Sequence, residues 1–115
     1  MRSARLVLVT HPPRGARAFA RALVSARLAA CVNLVPLESV YRWRSAVEEA
    51  REVLLVVKTG ADRVAALERH VRAAHPYECP EFVVLAPGHV EARYLRWLEE
   101  STRRERGRAR KTRSG

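Results

Sequence analysis

Cysteine is scarce in this 115-residue chain. Cys31 and Cys79 are the only two, and they form no Cys-x-x-Cys spacing. That argues against a zinc knuckle and a disulfide and leaves two reduced thiols, with Cys31 reading as a core residue. No apolar run approaches the roughly 20 residues that a membrane-spanning helix needs. Residues 1–10 lack the charged start, long apolar middle and small-residue cleavage site of a secretory signal, so the expected location is the cytoplasm. Carboxylates are few, 12 against 22 Lys and Arg, for a net charge of +10. Such an excess invites a nucleic-acid reading, but its placement weakens it. Residues 103–113 hold seven cations and Glu105 alone, which is +6 and leaves +4 for the first 102 residues. A run with no large apolar side chain cannot offset its own ordering entropy, so residues 103–115 read as a disordered, solubilising basic tail. Its contacts with nucleic acid or lipid headgroups would be non-specific and screened by salt.

Almost half of the positions, 48%, are hydrophobic. A chain of this length and composition forms one domain, over residues 1–102, with a core that needs no metal or disulfide. Residues 4–10 contain Leu6-Val7-Leu8-Val9, too short for an independent helix and apolar on both parities, which predicts a buried strand. His11-Pro12-Pro13-Arg14-Gly15 breaks it. Ala16, Phe19, Ala20 and Leu23 then recur at helical spacing, with Arg17, Arg21 and Arg27 expected in solvent.

From Cys31 the pattern alternates as in a strand. Pro36, which cannot donate to a ladder, predicts an edge position or a bulge, and the parity shift around it favours a bulge. Residues 44–51 are polar enough to turn, and Val53-Leu54-Leu55-Val56-Val57 resumes as the second arm of a long hairpin. Thr59 and Asp62 stand at the spacing of a capping arrangement ahead of a helix whose apolar stripe is Val64, Leu67, Val71 and Ala74. Residues 82–86 read as a fourth strand, and Tyr94, Leu95 and Leu98 mark a last helix with Trp97 beside them. His11, His70 and His89 have no ligand-like spacing and read as surface or packing residues.

The densest chemistry lies between the second long helix and the fourth strand, in His75-Pro76-Tyr77-Glu78-Cys79-Pro80-Glu81. Pro76 and Pro80 disfavour helix at the residues before them, so this segment is a stiff, extended connection. The element order predicts an α+β, ferredoxin-like βαββαβ fold with a long hairpin and an extra C-terminal helix. In that fold the helices cover one sheet face. The first, third and fourth strands are nevertheless apolar on both parities, so the second face requires burial by other copies of the chain.

Two separated stretches carry a resemblance. Leu28-Ala29-Ala30-Cys31-Val32-Asn33-Leu34-Val35-Pro36, running on to Ser39-Val40-Tyr41-Arg42-Trp43, and the segment from His75 to Glu81 resemble the CutA-type divalent-cation tolerance proteins. Leu8-Val9-Thr10, Lys58-Thr59 and Tyr94-Leu95-Arg96-Trp97 fall in matching places, so the likeness spans residues 4–102. It implies a homotrimer with sheets facing the threefold axis, hairpins reaching onto neighbours, and no assigned reaction. The family is associated with copper tolerance and the response to divalent metal ions, which implies copper or zinc as the cation. Its architecture is similar to that of PII-type signalling proteins, which implies a small ligand in clefts between subunits. The matching cleft positions are Tyr41, Trp43, Lys58, Tyr77, Glu78 and Glu81, with Lys58 also readable as the carboxylates' ion-pair partner. Of the metal ligands proposed in the family only His75 carries over, because Val9 stands in a cysteine's place and Ala74 replaces the first histidine of a pair. One imidazole falls short of the three or four ligands that tight copper or zinc binding takes.

Two other readings compete. An RNA recognition module shares the element order, but its third strand needs glycine and aromatics that residues 52–58 lack. A cysteine-dependent enzyme pairing Cys79 with His75 would have to bridge an extended span of about 13 Å.

Overall fold

The computed structural model describes residues 3–104. The proposed tail, apart from its first two residues, lies outside them. Strand β1 (Ala4–His11) leads through the Pro12-Pro13 break into helix α1 (Ala16–Ser25). Gly15 makes this entry possible: its φ of 86° lies in the left-handed region, and its carbonyl accepts the Phe19 amide at 2.9 Å. At the other end Arg27 turns left-handed, and the amides of Arg27 and Leu28 bond back to the carbonyls of Val24 and Leu23, closing the helix in a Schellman arrangement. Arg27 is not simply a solvated residue, because its guanidinium also reaches the carbonyls of Glu100 and Ser101.

Strands β2 (Cys31–Trp43) and β3 (Ala46–Gly60) form one long antiparallel hairpin. The turn is shorter than the polar sequence suggests. Only Arg44 and Ser45 leave the ladder, with φ of 50° and 73°, the two positive values of a type I′ turn. Residues 46–51 are polar because this part of the hairpin runs past the rest of the sheet into solvent. Pairing continues unbroken from Cys31↔Lys58 to Trp43↔Ala46, with Pro36 opposite Val53, so there is no bulge. Pro36 is tolerated because β2 is an edge strand, where half of the backbone amides face away from the sheet.

A 3₁₀ turn (Ala61–Arg63) precedes helix α2 (Val64–Ala74), which ends at an extended His75 before Pro76. The expected Thr59 cap is not made. Thr59 is fully buried and its hydroxyl instead donates to the Leu28 carbonyl at 2.8 Å, locking β3 to the end of α1. Strand β4 is only Val83–Leu85, and helix α3 (Ala92–Ser101) starts where the Glu91 carboxylate accepts the Tyr94 amide.

The sheet order is β2-β3-β1-β4, antiparallel throughout, as the ferredoxin-like reading expects. Val7 and Val9 of β1 and Leu55 and Val57 of β3 point to one face, where they pack with Phe19, Leu23, Leu67 and Val71 from α1 and α2. On the opposite face α3 covers only the start, setting Leu98 against Ala4 and Ala30. Beyond it Leu6, Leu8, Leu54 and Val56 stay half-buried, and Val35, Val83 and Leu85 are each 44% exposed. Cys31, on this open face, is half-buried instead of a core residue. No helix among the described residues is long and apolar enough to cross a membrane.

Candidate functional site

The chain direction after α2 sets the site. Residues 75–82 must return alongside the His11 end of β1 to begin β4, and at that end the hairpin leaves the sheet. The segment and the hairpin enclose a cleft of about 680 Å³, lined by Thr10, Ser39, Tyr41, Trp43, Glu52, Tyr77, Cys79 and Glu81 among others.

His75 anchors the segment from beneath. It is 8% exposed, its Nε2 lies 2.7 Å from the Thr10 carbonyl oxygen, and its Nδ1 accepts the Tyr77 amide at 3.0 Å. A carbonyl can only accept and an amide can only donate, so the ring is the neutral tautomer protonated on Nε2. Burial holds its pKa below the ordinary value, partly opposed by the bond to Thr10. The ring packs among His11, Phe19 and Tyr77, at centroid separations of 5.0, 5.6 and 4.8 Å. His11 is thus a packing residue, 4% exposed, with Nδ1 donating to the Pro12 carbonyl.

With both nitrogens committed, His75 could ligate a metal only by giving up one of these bonds. Among the described residues no group of three or more His, Cys, Asp and Glu side chains is placed to hold a metal ion. Together with Val9 and Ala74 at the other ligand positions, this arrangement does not fit a resident copper or zinc ion. Nor does His75 form a catalytic pair with Cys79, which sits exposed on the cleft wall.

The cleft is acidic. The Tyr77 hydroxyl donates to Glu52 Oε2 at 2.6 Å, and Glu52 is 6% exposed. Burial and that bond push the phenol well above its ordinary pKa. Glu81, at the exposed rim, is held above the usual carboxylate range by burial and by Glu52. Tyr41 and Trp43 form the hairpin wall. At its tip the Arg44 guanidinium lies over the Trp43 ring, 5.2 Å from the centroid, and bonds to Glu78 at 2.9 Å. This exposed ion pair ties the hairpin tip to the segment, at modest energetic value.

Of the cleft positions read from the sequence, Tyr41, Trp43, Tyr77 and Glu81 converge, and Glu78 sits at the rim through Arg44. Lys58 does not join them within one chain. It pairs with Leu6 and Cys31, six residues along β3 from Glu52, about 20 Å of extended strand. It therefore cannot be the ion-pair partner of Glu52 or Glu81 in its own protomer. Sequence reasoning missed Glu52, Thr10 and Arg44. Glu52 did leave a signal, as a lone carboxylate at the start of an apolar run on the parity of Leu54 and Val56.

Residues 5–101 match the family model described as CutA1 divalent ion tolerance protein. The divalent-cation tolerance protein CutA of Thermus thermophilus is 48% identical over 99 residues, covering 84% of this chain and 96% of that one. The solved structure of that organism's protein superposes with a TM-score of 0.82 over 86% of this chain and 98% of that chain. Mouse protein CutA is 44% identical over 88 residues, 76% of this chain but only 50% of the mouse sequence, so the chain spans about half of that relative. A structure from Nostoc described as a PII-like protein CutA, 33% identical, superposes with a TM-score of 0.83 over 86% of this chain and 97% of that one. The chain belongs to the CutA1 divalent ion tolerance family.

Proposed function

We propose that the protein is a homotrimeric binding and regulatory protein acting in the response to divalent cations, and that its clefts take a small ligand where subunits meet. The observation that carries this reading is a cleft with aromatic and acidic walls placed at the margin of an uncovered apolar sheet face. An exposed hydrophobic face of this extent marks a protein interface. A concave site with few polar groups is the usual form of a small-ligand pocket. The PII-like description of the Nostoc relative supports the same assignment by analogy of fold. Catalysis is not part of the proposal, since no nucleophile in the cleft has a base within bonding distance. A resident copper ion is not part of it either, because His75 serves as a structural tie.

The test combines two measurements on the full chain. Sedimentation velocity is expected to give three times the 13.0 kDa chain mass. Calorimetric titration of copper(II), beside His75→Ala, is expected to show no site that depends on His75. Saturable binding of one ion per chain that disappears in His75→Ala would make His75 a ligand and replace the small-ligand reading by a metal site.

A further inference from the structure

Two groups on this protomer lack what each needs. Lys58 stands on the open sheet face between Leu6 and Cys31, half-buried, and its ammonium makes no ion pair or hydrogen bond among the described residues. At the far end of the same face Glu52 and Glu81 face one cleft with no cation between them. Arg42 lines that cleft but pairs with neither carboxylate, and Arg44 is engaged by Glu78. The stretch of β3 separating Lys58 from Glu52 is far longer than any side chain, so the two charges cannot meet within one chain.

Resting on the trimeric reading above, we infer that a second copy of this chain completes the cleft by inserting its Lys58 ammonium between Glu52 and Glu81. Covering the open face with a copy takes Lys58 out of water, and a buried ammonium requires a counter-charge. The only carboxylates on the cleft wall are this pair. The hairpin is shaped to bring them to a neighbour. β1 and β4 stop at His11 and before Val83, while β2 and β3 continue to the turn, leaving Val40 and Val47 at 68% and 63% exposure on an arm with no sheet of its own to rest on. The protomer is correspondingly elongated, 56 × 34 × 21 Å, with a radius of gyration of 16.0 Å against about 13 Å for a compact domain of this size. Laying each arm on the next copy around a rotation axis repeats one heterologous contact and closes a ring, with one lysine delivered to every cleft. Glu81's raised pKa is what a carboxylate awaiting a cation shows in the lone protomer. The consequence for the site is direct: a small ligand meets an ammonium as well as two carboxylates, and only in the assembled protein.

Zero-length coupling tests this on the intact chain. A water-soluble carbodiimide joins an amine to a carboxylate only where the two are in contact. The expected product is a Lys58–Glu81 or Lys58–Glu52 linked peptide in mass spectra of covalent dimers and trimers, absent from Lys58→Arg, which keeps the charge but does not couple. Lys58→Met is expected to raise the trimer's dissociation constant by about 30-fold or more, and Lys58→Arg to change it far less. A trimer without either linked peptide, or a Lys58→Met chain that assembles as tightly as Lys58→Arg, overturns the inserted lysine and leaves the trimer standing. A protein that sediments as a monomer overturns both.

Discussion

Replacing Tyr77 by phenylalanine removes one oxygen from the floor of the cleft and leaves Glu52 with the full consequence. Glu52 is 94% buried, since only 6% of it is exposed, and the Tyr77 hydroxyl at 2.6 Å is its one hydrogen-bond donor among the described residues. A hydrogen bond to a charged group contributes about 1.5–3 kcal/mol, against about 0.5–1.5 kcal/mol for a neutral pair. Tyr77 is itself half-buried, which places the expected loss at about 2 kcal/mol. In a Glu52→Gln background the acceptor is neutral, and the same substitution is expected to lose about 1 kcal/mol. Urea unfolding at pH 7 and one fixed chain concentration, which matters for an oligomer, measures both. The sign with pH is also determined. The phenol's pKa is raised on folding above its ordinary 10.0, so its contribution is complete below pH 10 and is lost as pH rises beyond it. Tyr77→Phe is therefore expected to flatten the alkaline limb of the stability curve. A loss under about 0.5 kcal/mol in both backgrounds, or one that does not depend on the charge at position 52, would refute the view that this bond holds the cleft floor.

Two further outcomes follow from the segment and the hairpin. His75 has a folded pKa below its ordinary 6.5, so its contribution is present above pH 6.5 and is lost as pH falls through and below that value, when the unfolded chain takes up a proton first. Unfolding curves between pH 8 and pH 5 are expected to show this decline in the parent and a shallower one in His75→Gln; parallel curves would remove His75 from its role as the segment's tie. At the hairpin tip Ser45 holds a φ of 73° that L-residues adopt at a cost of about 1–2 kcal/mol, so Ser45→Gly is expected to stabilise the chain by about 0.5–1 kcal/mol after glycine's entropy is counted. Thermal unfolding midpoints report it, and an unchanged or lower midpoint would mean that the turn is not strained there.

Element order was legible in the sequence because each element carries its own period. The alternation from Cys31, the three-four spacing of Leu67, Val71 and Ala74, and the prolines at 76 and 80 are local signals, and the order they imply reappears in the sheet. Residues whose role depends on a distant partner were less legible. Thr59 looked like a cap because Asp62 follows at the right spacing, yet it spends its hydroxyl on Leu28, 31 residues away in sequence. The polar run 44–51 looked like a loop because polarity usually marks a turn, whereas here it marks a strand that has left its sheet. Lys58 looked like a cleft residue, and its register opposite Leu6 and Cys31 puts it at the other end of the face.

The sequence alone determined the helices, the strands and the family, since periodicity, turn chemistry and motif are properties of neighbouring residues. It also determined that one sheet face would be left apolar, because both parities of three strands are hydrophobic. Only the tertiary structure decided which chemistry converges. Glu52, Tyr77 and Glu81 come from a strand and a connection joined across 25 to 29 positions of sequence, and a hydrogen bond of 2.6 Å between two of them is a fact of register and chain direction. His75 shows the difference most sharply. Its motif reads as a metal ligand, and its surroundings turn it into a neutral tie between the Thr10 carbonyl and the Tyr77 amide, because a buried imidazole with both nitrogens satisfied has no lone pair left to offer.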